Sequence, residues 1–128
     1  MSGPQSISVE KLSKLLGTPT APVIIDVRLE EDFVLDRRFL PTARRVPHAE
    51  ILQHVLPPKT SLVVLVCQRG AKLSHGAAAM LRLHGIAAVS LEGGFEAWRD
   101  GKLPLVPAAN MVSRWVTRSM GERSHRGC

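Results

Sequence analysis

The sequence predicts a single α/β domain built on a mainly parallel sheet, on three observations. Short apolar runs rich in β-branched residues alternate with segments of helical period, the pattern of strands joined by crossover helices. The strongest runs, Val23-Ile24-Ile25-Asp26-Val27 and Ser61-Leu62-Val63-Val64-Leu65-Val66-Cys67, are nearly continuous in hydrophobicity, as strands buried on both faces require. A length of 128 residues suffices for one core and not for two.

Residues 8–16 read as the first helix. Ser8 suits its N-cap, Val9, Leu12, Leu15 and Leu16 form one apolar face, and Gly17 can close its C-terminus. Residues 18–22 form a loop and residues 23–27 a buried strand. Residues 29–35 read as a short helix whose Glu30, Glu31 and Asp32 stand where the helix dipole favours negative charge. Arg44-Arg45-Val46 before Pro47 is a short strand, and residues 49–55 a helix stopped by Pro57-Pro58. Residues 61–67 give the strongest strand signal. After a glycine-containing loop, residues 73–84 are helical, with Leu73, Ala77, Met80, Leu81 and His84 on one side and Gly85 as terminator. Residues 88–91 are a further strand, Gly93-Gly94 a turn, and residues 95–99 a short helix ahead of Gly101.

Composition narrows the function classes. The chain is 45% hydrophobic and 22% charged, ordinary for a globular protein, and its apolar runs are of strand length, not membrane-span length. No secretory pattern opens the sequence, and cysteines only at positions 67 and 128 make no disulfide framework. A cytoplasmic, reducing setting is therefore expected. A net charge of +6 and a pI near 10.2 raise nucleic-acid binding as an option. Half of that charge sits in residues 111–128, and the rest is scattered apart from Arg37, Arg38, Arg44 and Arg45, without interleaved aromatics. A solvated basic surface is the expectation, with no specific nucleic-acid and no membrane partner. The histidines lack paired ligand spacing, and there is no Cys-x-x-Cys, P-loop or Rossmann fingerprint. No metal and no cofactor are implied.

The chemistry concentrates after the strongest strand. Ligands of α/β sheets bind outside the carboxyl ends of the strands, and Cys67 ends such a strand directly before a loop and a helix N-terminus. Converging backbone N–H groups and the helix dipole there stabilise an anionic sulfur. Arg69 and Lys72 add positive charge, and Gly70 admits conformations closed to other residues. A cysteine ending an apolar strand is by itself an ordinary small core residue. The polar and cationic loop Cys67-Gln68-Arg69-Gly70-Ala71-Lys72 is what argues for a nucleophile.

This loop resembles the active-site loop of rhodanese-like domains, Cys-x-x-Gly-x-Arg/Lys. Three further landmarks stand in order. Ile25-Asp26-Val27-Arg28 with Phe33 is similar to that family's first signature. Leu40-Pro41-Thr42-Ala43-Arg44-Arg45-Val46-Pro47 is similar to its His-Ile-Pro-Gly-Ala-x-x-Ile-Pro stretch. Leu91-Glu92-Gly93-Gly94-Phe95-Glu96-Ala97-Trp98 is similar to its closing Leu-x-Gly-Gly-x-x-x-Trp element. The resemblance implies a central, mainly parallel five-stranded sheet with helices on both faces. It further implies a sulfurtransferase in which Cys67 takes sulfane sulfur from a small anionic donor such as thiosulfate and carries it as a persulfide. A nucleophilic acceptor, cyanide, a thiol or a sulfur-accepting protein, then removes that sulfur.

The amides and side chains of Gln68, Arg69, Gly70, Ala71, Lys72 and Leu73 would cradle the anion, with Arg28 as a further substrate contact. Asp26, Glu92 and Trp98 would support the site structurally, and His75 reads as an exposed helical residue. The chain departs from the family at the expected His, where Phe39 or Leu40 stands, at the expected Gly, where Thr42 stands, and at Gln68, where an Arg is common. These departures bear on the arrangement of the loop around Thr42 and on donor preference.

The family-like elements end by Val106, so residues 1–106 read as the domain and residues 107–128 as a basic appendage. There Met111, Val112, Trp115 and Val116 could form one amphipathic turn. Within it Ser113-Arg114-Trp115-Val116-Thr117-Arg118 weakly resembles the junction of fusion proteins joining rhodanese to a chromate-resistance domain. Two other functions fit the same framework: a non-catalytic binding or regulatory module, and a related phosphatase or arsenate reductase. Phosphatases of that type need Arg six residues after the cysteine, where this chain has Leu73.

Overall fold

A computed structural model describes residues 5–54 and 61–108. In chain order the strands are β1 (Ser6–Ile7), β2 (Val23–Asp26), β3 (Arg38–Phe39), β4 (Arg44–Arg45), β5 (Val63–Val66), β6 (Ala88–Leu91) and β7 (Val106–Pro107). The helices are α1 (Val9–Leu15), α2 (Glu30–Phe33), α3 (Ile51–His54), α4 (Lys72–Leu83) and α5 (Gly94–Asp100), with a 3-10 turn at His48–Glu50 leading into α3. Five strands form one sheet in the order β1-β6-β5-β2-β4, and every pairing within it is parallel. β3 and β7 form a separate antiparallel pair.

The side-chain period of two divides the core between the two faces of the sheet. Ile24, Val64, Val66 and Leu91 point to one face, where Leu12 of α1, Phe33 of α2, and Phe95 and Trp98 of α5 cover them. Ile25, Val63, Leu65 and Cys67 point to the other, against Ile51 of α3 and Ala77, Ala78 and Leu81 of α4. Helices thus lie on both faces, and all four residues of β5 are buried.

Local chemistry sets the element ends. Ser8 caps α1, its Oγ accepting from the Lys11 N–H at 3.1 Å, and Gly17 and Gly85 take left-handed φ of 79° and 80° just after α1 and α4. α2 is shorter than the segment expected, with Leu29 at its N-cap. The buried side of α4 is Ser74, Ala77, Ala78 and Leu81, whereas Met80 and His84 are exposed. The expected apolar face is therefore rotated, because the helix turns a serine, not Met80, toward the sheet.

β1, β3 and β7 were not expected, since a two-residue strand is too short to show a period. β7 and the buried Ala108, whose N–H donates to the Arg37 carbonyl at 2.7 Å, close over the first face beside Phe39. The expected turn at Met111–Val116, the fusion-like junction, Pro57-Pro58 and Cys128 lie outside the described residues. No helix among the described residues is long and apolar enough to cross a membrane.

Candidate active site

Parallel strands deliver their carboxyl ends to one edge of the sheet, and three of those ends build the site. Cys67 follows β5 and is buried, with 4% of its surface exposed. Its loop runs into α4 and is clasped from below by the turn after β6. The carbonyls of Cys67 and Gln68 accept from the N–H groups of Phe95 and Glu96 at 2.8 and 3.0 Å.

Two glycines permit this approach. Gly70 has φ 71°, and a Cβ there would stand 2.6 Å from the Gly93 nitrogen. Gly94 has φ 62°, and a Cβ there would stand 2.4 Å from the Cys67 carbonyl oxygen. Gly70 therefore lets two backbones meet.

The sulfur has two polar neighbours. The Ala71 N–H donates to Cys67 Sγ at 3.2 Å, and the hydroxyl of Ser74 lies 3.1 Å from Sγ. Of the loop amides expected to converge on the sulfur, Ala71 supplies this bond. Above Cys67 opens a cavity of about 550 Å3, walled by Leu29, Asp32 and Leu35 on one side and by Gln68, Arg69, Ala71, Lys72, Leu73 and Glu96 on the other.

Glu96 accepts from Gln68 Nε2 at 2.9 Å and from Arg69 Nε at 3.3 Å. The Gln68 hydrogen bond first, and Arg69 after it, hold its carboxyl below the ordinary value against partial desolvation. Arg69 is thus partly neutralised, while Lys72 makes no ion pair among the described residues. Cys67, Gln68, Arg69, Ala71, Lys72 and Leu73 meet around one cavity.

Arg28 does not join them. Its side chain is fully buried on the other side of β2, where Nε donates to Asp26 at 3.0 and 3.2 Å, and Nη1 and Nη2 to the carbonyls of Asp36 and Arg38 at 2.9 and 2.7 Å. Its guanidinium also stacks 3.9 Å from the centre of the Phe95 ring. With these bonds and no exposed surface, Arg28 lies outside the lining of the cavity and ties residues 36–38 to the end of β2.

Burial pushes the Asp26 carboxyl up, and Arg28 pulls it back through its charge and its amide. Glu92 accepts from Ser6 Oγ at 3.3 Å and joins β1 to the loop after β6. Trp98 is buried, with Nε1 donating to the Pro104 carbonyl at 2.7 Å. His75 is exposed. Thr42 keeps φ 68°, so the conformation usual for glycine survives the substitution.

Sequence reasoning missed Ser74, Ser90 and the wall formed by Leu29, Asp32 and Leu35. Ser74 stands three and four residues before Ala77 and Ala78, a spacing that marks it as core-facing. For the Leu29 wall no sequence signal existed.

A sequence model described as the rhodanese-like domain matches residues 8–100. The chain belongs to the rhodanese-like family. No curated protein matches it. Solved structures with the same fold include a rhodanese-related protein from Thermoplasma volcanium, at 21% identity and TM-score 0.67 over 80% of this chain and 97% of that one. A rhodanese-like domain protein from Staphylococcus aureus matches at 29% identity and TM-score 0.63 over 73% and 90%. A Rhodopseudomonas palustris protein of unknown function, described as a possible tyrosine phosphatase, matches at 21% and TM-score 0.67 over 79% and 83%. Among the described residues of this rhodanese-like domain, no group of three or more His, Cys, Asp or Glu could hold a metal ion.

Proposed function

We propose that this rhodanese-like domain is a sulfurtransferase that moves sulfane sulfur through a Cys67 persulfide. The observation that carries this reading is a single buried sulfur that accepts the Ala71 N–H and opens into a cavity with Lys72 at its mouth. The Cys67 thiolate attacks the outer sulfur of thiosulfate, and the S–S bond of the donor breaks as sulfite leaves with the bonding pair. The charge then rests on the outer persulfide sulfur, within reach of the loop. A cyanide ion or thiolate attacks that sulfur, leaves as thiocyanate or a new persulfide, and returns Cys67 to its thiolate. No proton has to move in either step, so no histidine base is needed.

Leu73, at the sixth position after Cys67, speaks against phosphoryl transfer, which needs a guanidinium there. Intact mass spectrometry after thiosulfate treatment tests the reading. One added sulfur atom should appear on Cys67 and vanish with cyanide. Sulfur only on Cys128, or sulfur unchanged in Cys67→Ser, would reject it in favour of a non-catalytic module.

A further inference from the structure

Cys67 Sγ lies at the end of a chain of buried hydroxyls that the reaction above does not use. Ser74 Oγ is 3.1 Å from Sγ, 2.8 Å from Ser90 Oγ and 3.4 Å from the Ala71 carbonyl. Ser74 stands on the first turn of α4 and Ser90 in the middle of β6, and both are fully buried. Around them the second face of the sheet is apolar, made of Leu65, Ala77, Ala78 and Leu81. In such a setting alanine would fill either place without desolvating a hydroxyl.

Proton counting orients the chain. Either hydroxyl could donate in the Ser74–Ser90 bond, but among the described residues Ser90 Oγ has one partner, Ser74, so the Ser90 proton is paired when it points to Ser74 Oγ. The Ser74 proton then has two acceptors, the Ala71 carbonyl at the long limit of a hydrogen bond and Cys67 Sγ. With a neutral thiol, S–H can donate to Ser74 while Ser74 donates to Ala71. With an anionic sulfur, a rotation of one hydroxyl turns the Ser74 proton onto Sγ, and every buried donor stays paired in both states.

We propose that Ser74 is a further catalytic residue and Ser90 its positioning residue, forming a hydroxyl relay that holds negative charge on Cys67 Sγ. The relay deepens the sulfurtransferase reading and assigns its two halves unequal dependence. Loading moves charge off Sγ onto sulfite and the outer sulfur, so a hydrogen bond to Sγ does not help an already formed thiolate attack. Discharge returns the charge to Sγ as leaving group, and there the Ser74 O–H and the Ala71 N–H both stabilise it.

The test uses the full chain with Ser74→Ala and Ser90→Ala, following Cys67 by peptide mass spectrometry. Iodoacetamide alkylation at pH 7 should slow about tenfold in Ser74→Ala and about threefold in Ser90→Ala, with both deficits closing as pH rises. Discharge of preloaded persulfide to cyanide should slow about tenfold in Ser74→Ala, while loading at high pH stays at the wild-type rate. A serine that only shaped the loop would slow loading and discharge alike, and that result overturns the relay. So do alkylation profiles that superimpose on wild type, or deficits equal at every pH.

Should Ser74→Ala fail to fold, Ser90→Ala, which leaves the sulfur's own neighbour intact, decides by the same profile. Should the wild type accept no sulfur, the sulfurtransferase reading fails, and alkylation, which needs no donor, still decides the relay.

Discussion

Replacing Gly94 with alanine puts a methyl group between two backbones already in contact. Its carbon would stand 2.4 Å from the Cys67 carbonyl oxygen, 2.5 Å from the Gly70 nitrogen and 2.9 Å from the Arg69 carbonyl carbon. All three neighbours are main chain, so no flexible side chain can give way. The site also has φ 62°, where a Cβ adds roughly 1–2 kcal/mol. Overpacking against a rigid neighbour adds roughly 1–3 kcal/mol, giving a total loss of roughly 2–5 kcal/mol.

Gly85→Ala isolates the first contribution, since Gly85 has φ 80° with nothing within 4 Å of the added carbon; it should cost about 1–2 kcal/mol. Gly76→Ala, inside α4 and also in open space, should stabilise by about 1 kcal/mol. Urea denaturation of the three variants and wild type gives the ranking directly. In Gly94→Ala that remains folded, Cys67 alkylation should change as well, because the displaced backbone carries the sulfur. A Gly94→Ala protein no less stable than Gly85→Ala would refute the clasp.

Thr42→Gly should raise stability by about 1 kcal/mol in thermal unfolding, because a β-branched residue is held at φ 68°. Arg28→Ala should lose about 3–5 kcal/mol by urea titration, leaving Asp26 buried without its partner; a folded variant with only weaker donor binding would restore Arg28 to the site. Lys72→Ala should raise the thiosulfate KM by roughly three- to tenfold, and Arg69→Ala by less, since Glu96 already engages Arg69; the reverse order in steady-state kinetics would contradict the cavity's charge balance. Glu96 has a lowered pKa, so its bonds to Gln68 and Arg69 contribute stability that is complete above the ordinary 4.5 and lost as pH falls through the lowered value. Thermal melts of wild type and Glu96→Gln should therefore converge below that range, and melts that stay parallel would count against it.

The fold was legible wherever several residues repeat one signal. β2 and β5 announced themselves through β-branched runs, and Ser8 and Gly17 marked both ends of α1, because burial and capping act locally on the chain. β1, β3 and β7 announced nothing, since each is a two-residue contact created by a partner distant in sequence. β7 shows the consequence. The family-like motifs end by Val106, yet Val106–Pro107 pairs with Arg38–Phe39 and Ala108 is buried. A shortened chain that respects this packing must keep Ala108. The α4 face was misjudged for a related reason: hydropathy assigned Met80 inward, while Ser74 and Ala78 face the sheet instead.

Arg28 and Lys72 show where residue type stops being informative about the site. Both are cations close to strand ends in family-like motifs, and the sequence allows both to contact an anion while leaving a pairing role equally open for Arg28. Their environments separate them. Arg28 is walled in by Asp26, two carbonyls and the Phe95 ring, so its charge is already balanced inside the protein. Lys72 stands on the first turn of a helix in the lining of a cavity, with no ion pair among the described residues. Cys67 was readable because its loop is contiguous, from the strand end to the helix start. Its hydroxyl partners were not, because Ser74 meets the sulfur across a turn of helix and Ser90 meets Ser74 across the sheet. The two hydroxyls beside the sulfur are thus brought to it by tertiary packing, and local motif reading could reach Cys67 and its loop but not Ser74 or Ser90.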